Sequence, residues 1–151
     1  MNIALKYVKK LLPAVFAVAA VFLLSGHALA DDNNMSNNVP HGIYSTTIVF
    51  QDNGEVETGT LQFKPDGTLI ETNTAVAGDH LGTWTSTGTN SFSLQFSETL
   101  PNGFVVVVQQ ANDTFTNGTI AFTGTSVGTV YNGDTVVGQR TTTVTAEKSD
   151  E

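Results

Sequence analysis

The chain contains no cysteine. That removes disulfide staples, thiolate metal sites and thiol nucleophiles together, and leaves a packed core as the main source of stability. Cations are nearly as scarce, with six Lys and Arg against fourteen Asp and Glu for a net charge of −8. A surface so acidic repels phosphate backbones and anionic headgroups, so nucleic acid is not an expected partner. There is a single tryptophan, Trp84. Histidine is limited to three positions, and no Gly-x-Ser-x-Gly elbow accompanies them. This is too little imidazole for a zinc site or for a nucleophile-and-base pair of the hydrolase kind. Long apolar runs are also missing. The longest, Leu11 to Leu24, covers fourteen residues with Pro13 inside it, short of the roughly 20 that a spanning helix needs.

That short run has a different meaning in its context. Lys6, Lys9 and Lys10 precede it, and Ala28-Leu29-Ala30 follows. A charged start, a short apolar stretch and a small-residue exit describe a secretory signal peptide over residues 1–30, cleaved before Asp31. Export to the periplasm or the exterior is the expectation, with no membrane insertion after cleavage. The remaining chain keeps Lys64, Arg140 and Lys148 as its only cations, a net charge of −11. Residues 31–41, rich in Asn and Asp, read as a flexible leader, 42–147 as one domain, and 148–151 as an acidic tail.

What the chain has in quantity is threonine, twenty-three residues, interleaved with Val, Ile and Phe. Branching at Cβ suits the pleated surface of a strand and disfavours a helix. Turn signals punctuate these runs at Asp52-Asn53-Gly54, Pro65-Asp66-Gly67, Pro101-Asn102-Gly103 and Asn132-Gly133-Asp134. The pattern predicts eight strands, at 42–51, 55–64, 68–76, 80–86, 91–99, 104–112, 118–131 and 135–147. Short hairpins between consecutive strands, with no long crossover, favour an all-β, eight-stranded antiparallel up-and-down barrel, because closure hides the sheet edges. A β-sandwich is the alternative.

Strand phase then sorts the side chains. Ile120, Phe122, Gly124, Ser126, Gly128 and Val130 share one face of the seventh strand, and Val136, Gly138, Arg140, Thr142, Val144 and Ala146 one face of the eighth, and these faces are expected to point inward. Phe92, Leu94, Phe96 and Glu98 align in the fifth, and Tyr44, Thr46, Ile48 and Phe50 in the first. The expected interior thus holds Tyr44, Phe50, Phe63, Phe96, Phe122 and Arg140 as ligand-binding candidates. Glu98 is the one inward carboxylate able to serve as a catalytic acid or base. Glu71 and His80 read as solvated, the latter as part of a surface turn beside Asp79. The sixth strand is apolar on both faces from Phe104 to Val108. β-propensity accounts for this, and so does an outer wall covered in a homo-oligomer. Trp84 falls on the inward phase near one end of the barrel, where it is expected to close the floor with Arg140 stacked on it. Acidic turns at the opposite rim offer oxygen ligands, but without the spacing of a calcium loop; no metal and no cofactor are expected.

The order Gly82-Thr83-Trp84, then "SFSLQF" at 91–96, then "DTFTNGTIAFTGTSVGTVYNGDTVVG" at 113–138 resembles small exported barrels of the allene oxide cyclase-like and wider lipocalin-like, or calycin, group, over residues 42–147. The resemblance implies a barrel with an apolar cavity. Three functions fit: binding of a small hydrophobic or amphipathic molecule in the interior, a cyclase or isomerase working through Glu98, and a filled barrel acting as a structural or surface-interaction protein.

Overall fold

The computed structural model describes residues 39–149. The segment expected to be a signal peptide, most of the expected leader and the end of the expected acidic tail lie outside the described residues. Eight strands follow one another: β1 (Gly42–Phe50), β2 (Val56–Phe63), β3 (Thr68–Asn73), β4 (His80–Gly88), β5 (Ser91–Thr99), β6 (Val105–Thr116), β7 (Ala121–Asn132) and β8 (Thr135–Lys148). Each pairs antiparallel with the next, and β8 returns to β1 through seven register pairs from Tyr44↔Lys148 to Phe50↔Thr142, closing the barrel. The up-and-down topology is the expected one, and among the described residues no edge strand is left open to another chain.

The hairpins form where the turn residues demand them. β7 and β8 are joined by Gly133 and Asp134 alone, and Gly133 takes a φ of +57°, which glycine adopts without strain. Threonine populates the outside. Thr58, Thr47, Thr145, Thr123 and Thr114 stand in one row across β2, β1, β8, β7 and β6. All five are exposed, as suits a β-branched polar side chain on the wet face of a sheet.

Three elements depart from expectation. β7 begins at Ala121 and not at 118, after a turn in which Asn117 and Gly118 take φ values of +55° and +68°. β3 stops at Asn73, because the Asn73 Oδ1 accepts the backbone N–H of Ala75 (2.8 Å) and Val76 (2.7 Å) and so turns the chain out of the sheet. β6 does not end at 112 but runs to Thr116 through a bulge between Gln110 and Thr114, in which Asn112 has a φ of +60°. The extra residue inverts the strand's phase. Val106, Val108 and Gln110 face inward on even numbers before it, Asp113 and Phe115 on odd numbers after it. The outward Val105 and Val107 are half-buried, and Val105 pairs with Tyr131 on β7.

The interior is unequal from end to end. Toward the 64–67, 89–90 and 117–120 turns it is solid: Tyr44, Phe63, Phe92, Phe115 and Phe122 meet at ring-centroid distances of 5.0 to 6.2 Å, mostly edge-to-face. That geometry matches positive ring edges to negative faces. The Tyr44 hydroxyl donates to the Thr119 carbonyl at 2.7 Å, so even its polar end is satisfied. Trp84 joins the same end, edge-on to Phe63 at 6.0 Å, with its indole N–H donated to the Lys64 carbonyl at 2.9 Å.

Candidate functional site

Toward the 51–55, 74–79, 100–104 and 133–134 turns the interior is hollow. A cavity of about 60 Å³ lies there. That is several times the roughly 10–15 Å³ a cavity needs to hold one water, which leaves room for a ligand of a few heavy atoms. Its walls are Ile48, Phe50, Phe96, Leu100, Val106, Val108 and Val130. The void exists because β7 and β8 supply little bulk at this level: Ser126 and Thr142 face each other with their hydroxyls 2.5 Å apart, and Gly128 presents no side chain.

Into this apolar room project polar groups from six strands: Glu57 of β2, Glu71 and Asn73 of β3, Glu98 of β5, Gln110 of β6, the Ser126 hydroxyl of β7, and Thr142 and Arg140 of β8. Glu71 is 2% exposed. Its oxygens accept the Asn73 amide at 3.0 and 3.3 Å, and His80, also buried, holds its Nε2 4.0 Å from Glu71 and 3.3 Å from the Val76 carbonyl. Burial raises the Glu71 carboxyl to about 8, opposed by the Asn73 hydrogen bond and assisted by the nearby charges of Glu98 and Glu57. Glu98 is pushed up by the same desolvation, against the pull of His80 and Asn73. At neutral pH an empty cavity therefore holds Glu71 as a carboxylic acid. Gln110 is 4% exposed, and no protein donor reaches its Oε1.

Arg140 sits at the mouth. Its Nη2 donates to Asp52 Oδ1 at 2.7 Å and to Asn53 Oδ1 at 3.2 Å, and its guanidinium carbon lies 3.8 Å from the centre of the Phe50 ring. The expected stacking of Arg140 on Trp84 is therefore corrected: the two occupy opposite halves of the barrel, and the aromatic partner of Arg140 is Phe50. Barrel shear sets which inward residues share a level, and alternation along single strands does not contain it.

The structure divides the remaining candidates the same way. Phe50, Phe96 and Glu98 line the cavity, whereas Tyr44, Phe63 and Phe122 belong to the packed end. Glu71 and His80, read as solvated, are both buried, a second correction. The signal for Glu71 was present in its phase, which it shares with the core residue Leu69. Asp113, missed altogether, is 0% exposed, and neither carboxylate oxygen has a hydrogen-bond partner. Desolvation alone raises it to about 7. Among the described residues no cluster of His, Asp and Glu has a geometry that would hold a metal ion.

No family model matches the chain, and no curated protein is similar to it. Among solved structures, EF1p2_mFAP2b bound to DFHBI matches with a TM-score of 0.52 and 15% identity, over 77% of this chain and 100% of that one. A redesigned beta barrel matches with a TM-score of 0.45 and 18% identity, over 75% of this chain and 93% of its own. The likeness is one of fold, to small β-barrels; the chemistry of the cavity rests on the residues described above.

Proposed function

We propose that the protein is an exported barrel that binds one small amphipathic molecule in the hollow half of its interior. The observation that carries this reading is the contrast between the two halves. One is filled by aromatic rings, while the other leaves about 60 Å³ empty beneath a rim of acidic turns and directs carboxyl and amide groups into it. A barrel serving only as a scaffold would gain stability by filling that space, since each missing methylene forgoes contact and burial. Apolar walls with a few convergent polar groups are the usual composition of a small-molecule site. The likeness to EF1p2_mFAP2b, which is bound to DFHBI, agrees with an interior able to hold a ligand. The signal-like start and Ala28-Leu29-Ala30 support export with cleavage before Asp31, and amino-terminal sequencing of the secreted product tests it.

Native mass spectrometry after incubation with small amphipathic molecules, fatty acids and hydrophobic dyes tests the binding reading. A retained one-to-one adduct that is lost on Gly128→Leu supports it. No adduct at any concentration leaves a structural or surface-interaction role. A second reading, a cyclase or isomerase, is favoured by Glu71 and Glu98, two carboxyls held above their ordinary range in an apolar cavity, as proton transfer near neutral pH requires. It adds turnover to the same binding event.

A further inference from the structure

We propose that the cavity is built for a small alkylammonium ion, whose charged head donates to Glu71, Glu98 and the Gln110 Oε1 while its hydrocarbon part lies against Phe50, Phe96 and Val108. This rests on the binding reading above and names the class of ligand.

Acceptors dominate the polar lining. Glu57 from β2, Glu71 from β3, Glu98 from β5 and Gln110 from β6 all face the cavity. The one cationic side chain that lines it, Arg140 from β8, is committed at the mouth to Asp52 and Asn53. His80 on β4 stands behind Glu71, and β1 and β7 offer only uncharged residues. The Ser126 and Thr142 hydroxyls are occupied with each other. The Gln110 Oε1 is independent of the carboxyl cluster, on a different strand, buried and without a partner. A buried acceptor left unmade is unfavourable, so its presence in a cavity wall calls for a donor from whatever fills the space.

Three ligand classes can be compared on these groups. A neutral hydrocarbon leaves the Gln110 oxygen unpaired. A carboxylate or phosphate is opposed by whichever of Glu57, Glu71 and Glu98 is ionised, and Arg140, the cation of the lining, is already paired with Asp52 and Asn53. An ammonium group carries up to three donors and a positive charge, and hydrogen bonds between charged partners are the strong ones. A volume of about 60 Å³ suits a ligand of a few heavy atoms, nearer to butylamine than to a fatty acid.

Charge balance gives the proposal a signature that simple hydrophobic binding lacks. Glu71, with its carboxyl at about 8, is protonated in the empty protein at pH 7. An arriving ammonium ion favours the carboxylate, so the carboxyl proton leaves to solvent, R–NH3⁺ pairs with the carboxylate, and the cavity stays neutral. Close to one proton is released for each amine bound, and affinity rises with pH by up to about tenfold per unit between pH 5 and 8.

Isothermal titration of the purified full-length chain at pH 7, in phosphate and in MOPS, tests this with n-butylamine, butan-1-ol and sodium butyrate. The expected result is that the amine binds with a buffer-dependent enthalpy equivalent to about one released proton, that the alcohol binds about tenfold or more weakly, and that butyrate does not bind. Glu98→Gln and Glu71→Gln should each weaken the amine about tenfold or more, and Glu71→Gln should lower the proton release, in variants whose circular dichroism matches the wild type. Alcohol or butyrate binding as tightly as the amine overturns the inference and leaves the binding reading standing. Failure of all three while a dye or fatty acid is retained in native mass spectrometry does the same. Failure of every compound overturns both.

Discussion

Asp113 offers the cleanest test of whether the interior is as dry as its packing implies. It sits in the β6 bulge opposite Phe92, fully buried, with neither oxygen hydrogen-bonded, and desolvation alone lifts its carboxyl from 3.8 to about 7. The folded state thus holds a proton that the unfolded chain has lost. The resulting stability is fully present below about pH 4 and disappears as pH rises to about 7, at up to about 1.36 kcal/mol per unit. The ceiling is about 4 kcal/mol, of which about 3 kcal/mol falls between pH 5 and the plateau above 7. Asp113→Asn has the same shape and no titration. Wild type and variant should therefore differ little at pH 5, apart from a constant offset for the amide, and the variant should gain about 3 kcal/mol on the wild type by pH 8. Urea denaturation with a slope of about 1–2 kcal/mol per molar converts this to a relative midpoint shift of about 2 M. Glu71 and Glu98 titrate alike in both proteins and cancel. Midpoints separated by the same interval at pH 5 and pH 8 would refute the reasoning, since Asp113 would then reach water in the folded barrel.

A methyl group at Gly124 would overlap Asp113 Oδ1, so Gly124→Ala should cost about 1–3 kcal/mol in wild type. Removing the carboxyl in Asp113→Ala should relieve much of that increment, as a double-mutant cycle by urea denaturation will show. Asn73→Ala strips the cap from the 74–79 segment and a donor from Glu71, and should cost about 2–3 kcal/mol while opening that segment to limited proteolysis. Trp84→Phe should lower stability by about 1–2 kcal/mol, because the indole is half-exposed and loses mainly its bond to the Lys64 carbonyl. It should leave ligand affinity unchanged, since Trp84 does not line the cavity. Wild-type tryptophan emission that shifts on ligand addition would contradict this placement.

Strand phase was legible from single residues and led to the interior along the body of the strands, but not at their ends: Ile120, just before β7, and Val136, beyond a register shift between β7 and β8, were expected inside and are exposed. Phe92, Leu94 and Phe96, Ser126 and Val130, and Thr142, Val144 and Ala146 all face inward as alternation requires. It failed where a second consideration was set against it. Glu71 shares phase with Leu69, yet a carboxyl is assigned to solvent on chemical grounds, because ionised side chains avoid burial. The barrel resolves the conflict by keeping the proton rather than exposing the group. The β6 bulge was illegible for another reason: Ala111-Asn112-Asp113 contains no turn signal stronger than many asparagine sites, and only the pairing of Thr114 with Thr123 reveals the extra residue. Arg140 was placed correctly within its strand and wrongly across the barrel, since the level of a residue depends on shear, a property of all eight strands together.

These failures share a physical origin. Apolar residues announce their side of a strand because one position is much better than the other. A polar residue on the inward phase carries no such signal alone, since its burial depends on partners supplied by other strands. Asn73 and His80 do this for Glu71, and Asp52 and Phe50 for Arg140. Gln110 and Asp113 lack a protein partner for an oxygen, and their positions separate two cases. Asp113 lies outside the cavity lining, so the carboxyl can meet its burial only by neutralising. An amide has no such escape, because Gln110 cannot change its charge, and its oxygen stands in the wall of the cavity. The unmade bond of Asp113 is thus an expense of the fold, while that of Gln110 can be met by a donor entering the cavity, which makes Gln110 the better marker of ligand chemistry.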